Sequence, residues 1–412
     1  MTRTALARPL PLFDIEEPVS DIIDEISGFA GQGRVTVHML KEGIPYYVNE
    51  FWTARQRQSH SIHEVSYRAC FKAQLPEFFI SRLTRCGDWV HDPFMGRGTT
   101  PVQASLMGRR PVGNDINPLS VLLARPRMQP PTLKQISDRL SEVSWDDAEQ
   151  GPDDLLAFYH PETLRKIMAL RGWLLKRAPV SDLQPDHVDD WIRMVAINRL
   201  SGHSSGFFSG RSMPPNQAVS VKAQQRINEK LGVKPPERDV VAIVMKKSRT
   251  LLASGVPPEH PPALLSVGQA AQTNSIPEGS VALVVTSPPF LDIVQYAADN
   301  WLRCWFAGID LSSVAIAMHR DEASWTKMVH DVLKEQARIL RPGGHVAFEV
   351  GEVRGGKVLL EQLVWKAAAG LPFERLCVIV NDQEFTKTAN CWGVSNNSGG
   401  TNTNRIVLLR RN

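Results

Sequence analysis

The feature that most constrains the fold is the stretch 88–117. DWVHDP (88–93) reads as a strand and runs straight into a glycine loop, MGRGTT (95–100). A helix follows (TPVQASLMG), and then a second strand, RPVGNDIN (110–117). A strand, a glycine loop, a helix and a further strand in this order begin a doubly wound parallel sheet. The sheet pattern returns at ALLSVGQA (263–270) and at VALVVTSPPF (281–290), whose unbroken β-branched run suits a strand buried on both faces. VLKEQARIL (332–340) reads as a helix and RPGGHVAFEVGEV (341–353) as a turn and strand. FERLCVIVND (373–382) and TNRIVLLRR (403–411) have no helical pattern between them, so the spacing predicts a closing antiparallel pair. The expected class is α/β, a Rossmann-like doubly wound sheet with an antiparallel last strand.

From about 125 to 260 the pattern is helical, with proline seams at 126–131, 214–215, 235–236 and 257–262. That is far longer than an α/β connection, and it predicts a mostly helical inserted lobe. The expected organisation is an arm over 1–50, the first catalytic segment over 51–125, the insertion over 126–260 and the second catalytic segment over 261–412. Net charge is only +4 across 412 residues, but 191–250 holds eleven Lys/Arg against three acidic residues. A segment so much more basic than its chain suits a polyanion. No apolar run approaches the roughly 18 residues of a membrane span, and the N-terminus lacks a secretory apolar region. The five cysteines form no CxxC pair, so a reduced cytoplasmic setting without a cysteine metal site is expected.

Ligands of doubly wound sheets bind at the carboxyl ends of the strands. Gly96 and Gly98 permit close approach of backbone to a ligand, and the following helix offers free N–H groups to an anion. Asp115 ends the next strand, where a carboxylate can accept from both hydroxyls of a ribose. The GxGxxG of dinucleotide enzymes is absent. TSPPF (286–290) offers a hydroxyl and a rigid carbonyl at the end of another strand, because consecutive prolines restrict the backbone.

DPFMGRGTT (92–100) resembles the cofactor loop of the DNA amino-methyltransferases, and TSPPF resembles their (S/D)-P-P-(Y/F) catalytic motif. The resemblance covers about 60–125 and 263–411 and implies S-adenosylmethionine as cofactor. It places Asp92, Phe94, Gly96, Gly98, Thr99, Thr100, Asp115 and Asn117 in the cofactor site. Tyr67, Phe71 and Lys72, in HEVSYRACFKAQLPEFF, are expected over the methionine end, and Gln269 beside the adenine. Ser287, Pro288, Pro289 and Phe290 are the expected catalytic group. The Ser287 hydroxyl and the Pro288 carbonyl would accept from an exocyclic amine and free its lone pair, while Phe290 would stack on a base flipped from the duplex.

A serine opening that motif is usual in enzymes acting on N4 of cytosine, and an aspartate in those acting on N6 of adenine. The chain therefore reads as a DNA cytosine-N4 methyltransferase, with DNA adenine-N6 and RNA base amino-methyltransferases as alternatives. The cofactor loop precedes the catalytic motif here, the reverse of many N4 enzymes, and some transfer-RNA guanine-N2 enzymes share this order. No cysteine follows a proline, which excludes the thiolate mechanism of cytosine C5 methylation. Double-stranded DNA is the expected partner, with no membrane and no metal, and with a cognate restriction endonuclease left open. Ser204, Ser205, Arg211, Asn216, Gln217, Lys246 and Lys247 of the insertion are the expected nucleic-acid contacts, with the polar loop 389–404 as a second wall of the cleft.

Overall fold

The computed structural model describes residues 21–31, 34–52, 59–68, 70–180, 185–212, 218–259, 262–291, 296–314, 319–354, 357–382 and 403–412. Its frame is a nine-stranded sheet. The strands are β3 (Val37–Lys41), β4 (Ile44–Asn49), β5 (Trp89–Asp92), β6 (Arg110–Asp115), β7 (Leu264–Val267), β8 (Val281–Thr286), β9 (Leu340–Val350), β12 (Phe373–Asp382) and β13 (Thr403–Arg411). Short ribbons pair β1 (Ala30–Gly31) with β2 (Arg34–Val35), and β10 (Glu352–Val353) with β11 (Val358–Leu359).

The order is β3-β4-β12-β13-β9-β8-β5-β6-β7. Strands β7, β6, β5, β8 and β9 run parallel, and β13 is antiparallel to both β9 and β12. This is the expected doubly wound sheet with an antiparallel closing strand. The chain winds outward from β5 through β6 to β7, then returns to the other side of β5 with β8. The carboxyl ends of β5 and β8 therefore flank the switch point, where such sheets bind ligands.

Side chains alternate between two apolar layers, as a pleated sheet requires. Val346 and Phe348 of β9, with Val407 and Leu409 of β13, face α11 (Glu322–Ile339) and α12 (Leu360–Ala367). Ala347, Ile406 and Leu408 face the opposite way, toward α2 (Gln74–Leu83) and α3 (Thr99–Leu106).

Residues 21–50, part of the segment 1–50 read from the sequence as an arm, carry α1 (Ile22–Ser27) and the β3–β4 hairpin. β4 pairs parallel with β12, and Tyr46 and Tyr47 enter opposite faces of the core. β3 is exposed throughout and β4 carries a proline and two tyrosines, which is why the hairpin lacks the alternating signature of a half-buried strand pair.

The region between β6 and β7 is helical. It contains α4 (Pro118–Ala124), α5 (Leu133–Ser141), α6 (Pro161–Arg177), α7 (His187–Ile197), α8 (Val221–Leu231) and α9 (Val240–Leu251). Their apolar faces form one cluster with Ile62, Val65, Tyr67 and Met95, and with α10 (Tyr296–Ala307). This helical core thus reaches the loops at the strand ends. No helix of the described residues is long and apolar enough to cross a membrane.

Candidate functional site

A cavity of about 180 Å³ opens over the carboxyl ends of β5, β6, β7 and β8. Phe94, Gly96 and Thr99 line it from the loop after β5, Asp115 and Asn117 from the end of β6, and Gln269 from the turn after β7. Ser287 and Pro289 line it from the end of β8, Tyr67 and Phe71 from the segment before α2, and Met328 and Val332 from α11. Ten of the sequence-predicted site residues thus share one cavity.

Asp115 organises the cofactor loop. Its Oδ2 accepts from the Gly96 N–H at 2.8 Å and its Oδ1 from the Asn117 N–H at 2.9 Å. Burial pushes this carboxyl upward, and the N–H donors oppose that shift. The carboxylate lines the cavity, where it can accept from ribose hydroxyls. Gly98 has φ +78°, and a Cβ there would lie 2.5 Å from the Ala124 side chain. Only glycine lets α3 start so close to α4. No side chain caps the start of α3, leaving its first turn open to an acceptor in the cavity.

Asp92, Gly98, Thr100 and Pro288 are buried behind the cavity wall. Asp92 accepts from the Thr286 hydroxyl at 2.6 Å and the Phe94 N–H at 3.1 Å, tying the loop after β5 to the residue preceding Ser287. Burial raises its pKa to about 7. Thr100, in the first turn of α3, donates to the Val285 carbonyl of β8 at 2.9 Å, a second tie to that strand. Phe290 packs against the sheet core, and Lys72 is half-buried near Arg97.

Two residues beside Ser287 were not anticipated. Glu349, near the end of β9, is buried and accepts a hydrogen bond from Ser287 and another from Asn404 Nδ2 at 2.8 Å. Burial raises its pKa. Trp325 of α11 is buried and donates from Nε1 to the Pro289 carbonyl at 2.9 Å. A carboxylate interrupting the apolar run of the strand next to TSPPF is the signal that could have marked Glu349. Trp325 carries no such signal, because a helical tryptophan reads as core.

Tyr67 and Phe71 form the roof. The Tyr67 ring lies over Gly96, 3.5 Å from where a Cβ would stand. Arg97, buried between the two glycines, donates to the Val65 carbonyl at 2.9 Å and the Phe71 carbonyl at 3.2 Å. Fully buried Arg127 donates to the carbonyls of Arg97 and, at 2.8 Å, Leu123. Burial lowers its pKa to about 9. Arg68 pairs with Asp299 of α10 at 2.9 Å.

Of the expected nucleic-acid contacts, Ser204, Ser205, Arg211 and Lys246 are exposed. Lys247 is paired with Glu64 at 3.4 Å, and burial and nearby Arg199 lower its pKa to about 8. Asn216, Gln217 and residues 389–402 lie outside the described residues. Part of the basic excess is internal: Arg193 is buried and donates to the carbonyls of Leu174 and Ala178. Phe207 and Phe208, in the polar loop, are buried as well.

The donor set fits S-adenosylmethionine. Asp115 suits a ribose, the open α3 start suits a carboxylate, and Phe94, Ile116, Ala270 and Ala271 offer apolar walls. Residues 32–125 match the DNA methylase family. Over 89 residues the chain is 37% identical to the Type II methyltransferase M.MjaII of Methanocaldococcus jannaschii, covering 22% of this chain and 16% of that protein. The Type II methyltransferase M.BsoBI of Geobacillus stearothermophilus is 22% identical over 308 residues, covering 66% of this chain and 58% of that one. The chain thus spans less than two thirds of each relative's length. The solved structure of TrmN from Thermus thermophilus overlaps 87% of this chain and 53% of its own at 11% identity, with a TM-score of 0.34.

Proposed function

We propose that this chain is an S-adenosylmethionine-dependent DNA amino-methyltransferase that methylates the exocyclic N4 amine of cytosine in double-stranded DNA. The observation that carries the reading is that Ser287 shares a cavity with Gly96, Thr99 and Asp115. The bound cofactor supplies an electrophilic methyl group.

The chain's own residues do the rest. Asp115 and the loop 94–99 hold the ribose and the methionine end, and Tyr67 and Phe71 cover them. Ser287 accepts from the substrate amine and orients its lone pair toward the cofactor side of the cavity. Alignment of two bound reactants accounts for much of the rate. Once the methyl group has left the sulfonium for the amine, the nitrogen would shed a proton, which the Ser287 hydroxyl would pass to Glu349, whose raised pKa suits an acceptor. Trp325 fixes the Pro289 carbonyl, holding the loop that presents Ser287. The serine at 287 favours cytosine over adenine.

The test is incubation of the purified chain with labelled S-adenosylmethionine and mixed genomic DNA, followed by nucleoside mass spectrometry, with Ser287→Ala as control. N4-methylcytosine that vanishes in the control is the expected result. N6-methyladenine would overturn the base, and label entering only RNA would overturn the partner.

A further inference from the structure

The roof of the cavity is bonded to the helical region between β6 and β7 at several successive points. The Ser66 N–H donates to Asn198 Oδ1, at the end of α7, at 3.0 Å. Ser61 Oγ donates to the Leu251 carbonyl, at the end of α9, at 2.8 Å, and accepts from the Ser254 N–H at 3.0 Å. Glu64 takes Lys247 of α9. These contacts run up to Tyr67, which lines the cavity, from its N-terminal side. Asn198 is itself fixed: it is buried, and its Nδ2 donates to the Met194 carbonyl at 3.1 Å. Segment 64–67 has no regular secondary structure; Arg97 and Arg303 hold its Val65 and Ser66 carbonyls, and Asn198 holds the Ser66 amide from the helical side.

We propose that this helical region is part of the cofactor site, and that Asn198 is a positioning residue holding Tyr67 over the glycine loop through the Ser66 amide. The proposal rests on the reading of the cavity as an S-adenosylmethionine site. A region read from its charge as a nucleic-acid grip thereby also sets cofactor affinity. Movement of α7 and α9 against the sheet, as a gripped duplex would cause, changes the roof directly.

The test is calorimetric titration of S-adenosylmethionine into the full chain with no nucleic acid present, alongside amide exchange over residues 61–72. Asn198→Ala is expected to weaken binding about tenfold, the equivalent of one buried hydrogen bond, and to speed exchange at Ser66. Asn198→Asp, which keeps the oxygen acceptor for Ser66 but loses the donor to the Met194 carbonyl, is expected to restore both only in part. Ser61→Ala, a smaller change on the α9 side, is expected to weaken binding about threefold, and it decides the matter if Asn198→Ala fails to fold. A folded Asn198→Ala or Ser61→Ala protein with wild-type affinity would overturn the positioning role alone. A wild-type chain that fails to bind S-adenosylmethionine would instead overturn the cofactor reading on which the role depends.

Discussion

The ends of β5 and β6 and the end of β8 meet in one cavity, yet they are held in different ways. At β5 and β6 the loop is shaped by backbone: Asp115 accepts from two amides, Met95 N–H donates to the Asn114 carbonyl at 3.0 Å, and Gly98 adopts a left-handed turn. At β8 and β9 the arrangement depends on side chains drawn from distant places, Glu349 from the next strand, Trp325 from α11 and Asn404 from the last strand. A loop whose amides are met by one acid at the next strand end can be written in nine consecutive residues and that acid. A loop built on borrowed side chains cannot.

The contrast can be broken by substitution at either end. Glu349→Gln carries the largest expected effect, a fall in kcat on the order of 10² with cofactor affinity unchanged. Glu349 must be ionised to accept a proton, so the wild-type rate should rise with pH through its raised pKa. The variant should lose that limb, and single-turnover rates between pH 5 and 9 measure both. An equal loss of cofactor affinity would place Glu349 with the first region rather than the second.

Asp115→Ala comes next. It should weaken S-adenosylmethionine binding roughly 10- to 100-fold by calorimetry, since hydrogen bonds to a charged group contribute about 1.5–3 kcal/mol. Trp325→Phe keeps the ring and removes one donor. A loss of about 1 kcal/mol predicts a fall of roughly fivefold in kcat, with the Kd for cofactor preserved.

The smallest effect concerns Asp92, which joins the two regions. Its pKa lies near 7 in the fold, above its ordinary value of 3.8. The native state therefore binds its proton more tightly than the unfolded chain does. This contribution to stability is fully present below about pH 4 and is lost as pH rises toward and through 7. Asp92→Asn cannot ionise, so urea midpoints at pH 5 and pH 8 should lie closer together in the variant than in the wild type. Equal spacing would show that Asp92 carries no such linkage.

What was legible in the sequence follows the same division. The strands β5, β6, β8 and β9, the glycine loop and Asp115 could be read because their cues are local: β-branched runs, glycines and an acid at a strand end. The β3–β4 hairpin was not, because a sheet edge with one exposed strand needs no buried pattern. Charge in 191–250 was visible, but its placement was not. Arg193 satisfies helix-end carbonyls inside the protein, whereas Lys222 and Arg226 stand in solvent, and composition treats them alike. Asn198 and Trp325 are ordinary in sequence, and their importance arises only from what the fold sets against them.

Strands β6 and β7 are hydrogen-bonded neighbours, Asp115 against Val267, although the whole helical region separates them in the chain. Closing a connection of about 150 residues rather than about 10 costs roughly 2 kcal/mol more in chain entropy. That cost falls on the pairing that brings Gln269 and Ala270 to the cavity. Refolding from urea should therefore restore helical signal before cofactor-binding capacity, with the adenine-side wall as the last part of the pocket to arrive.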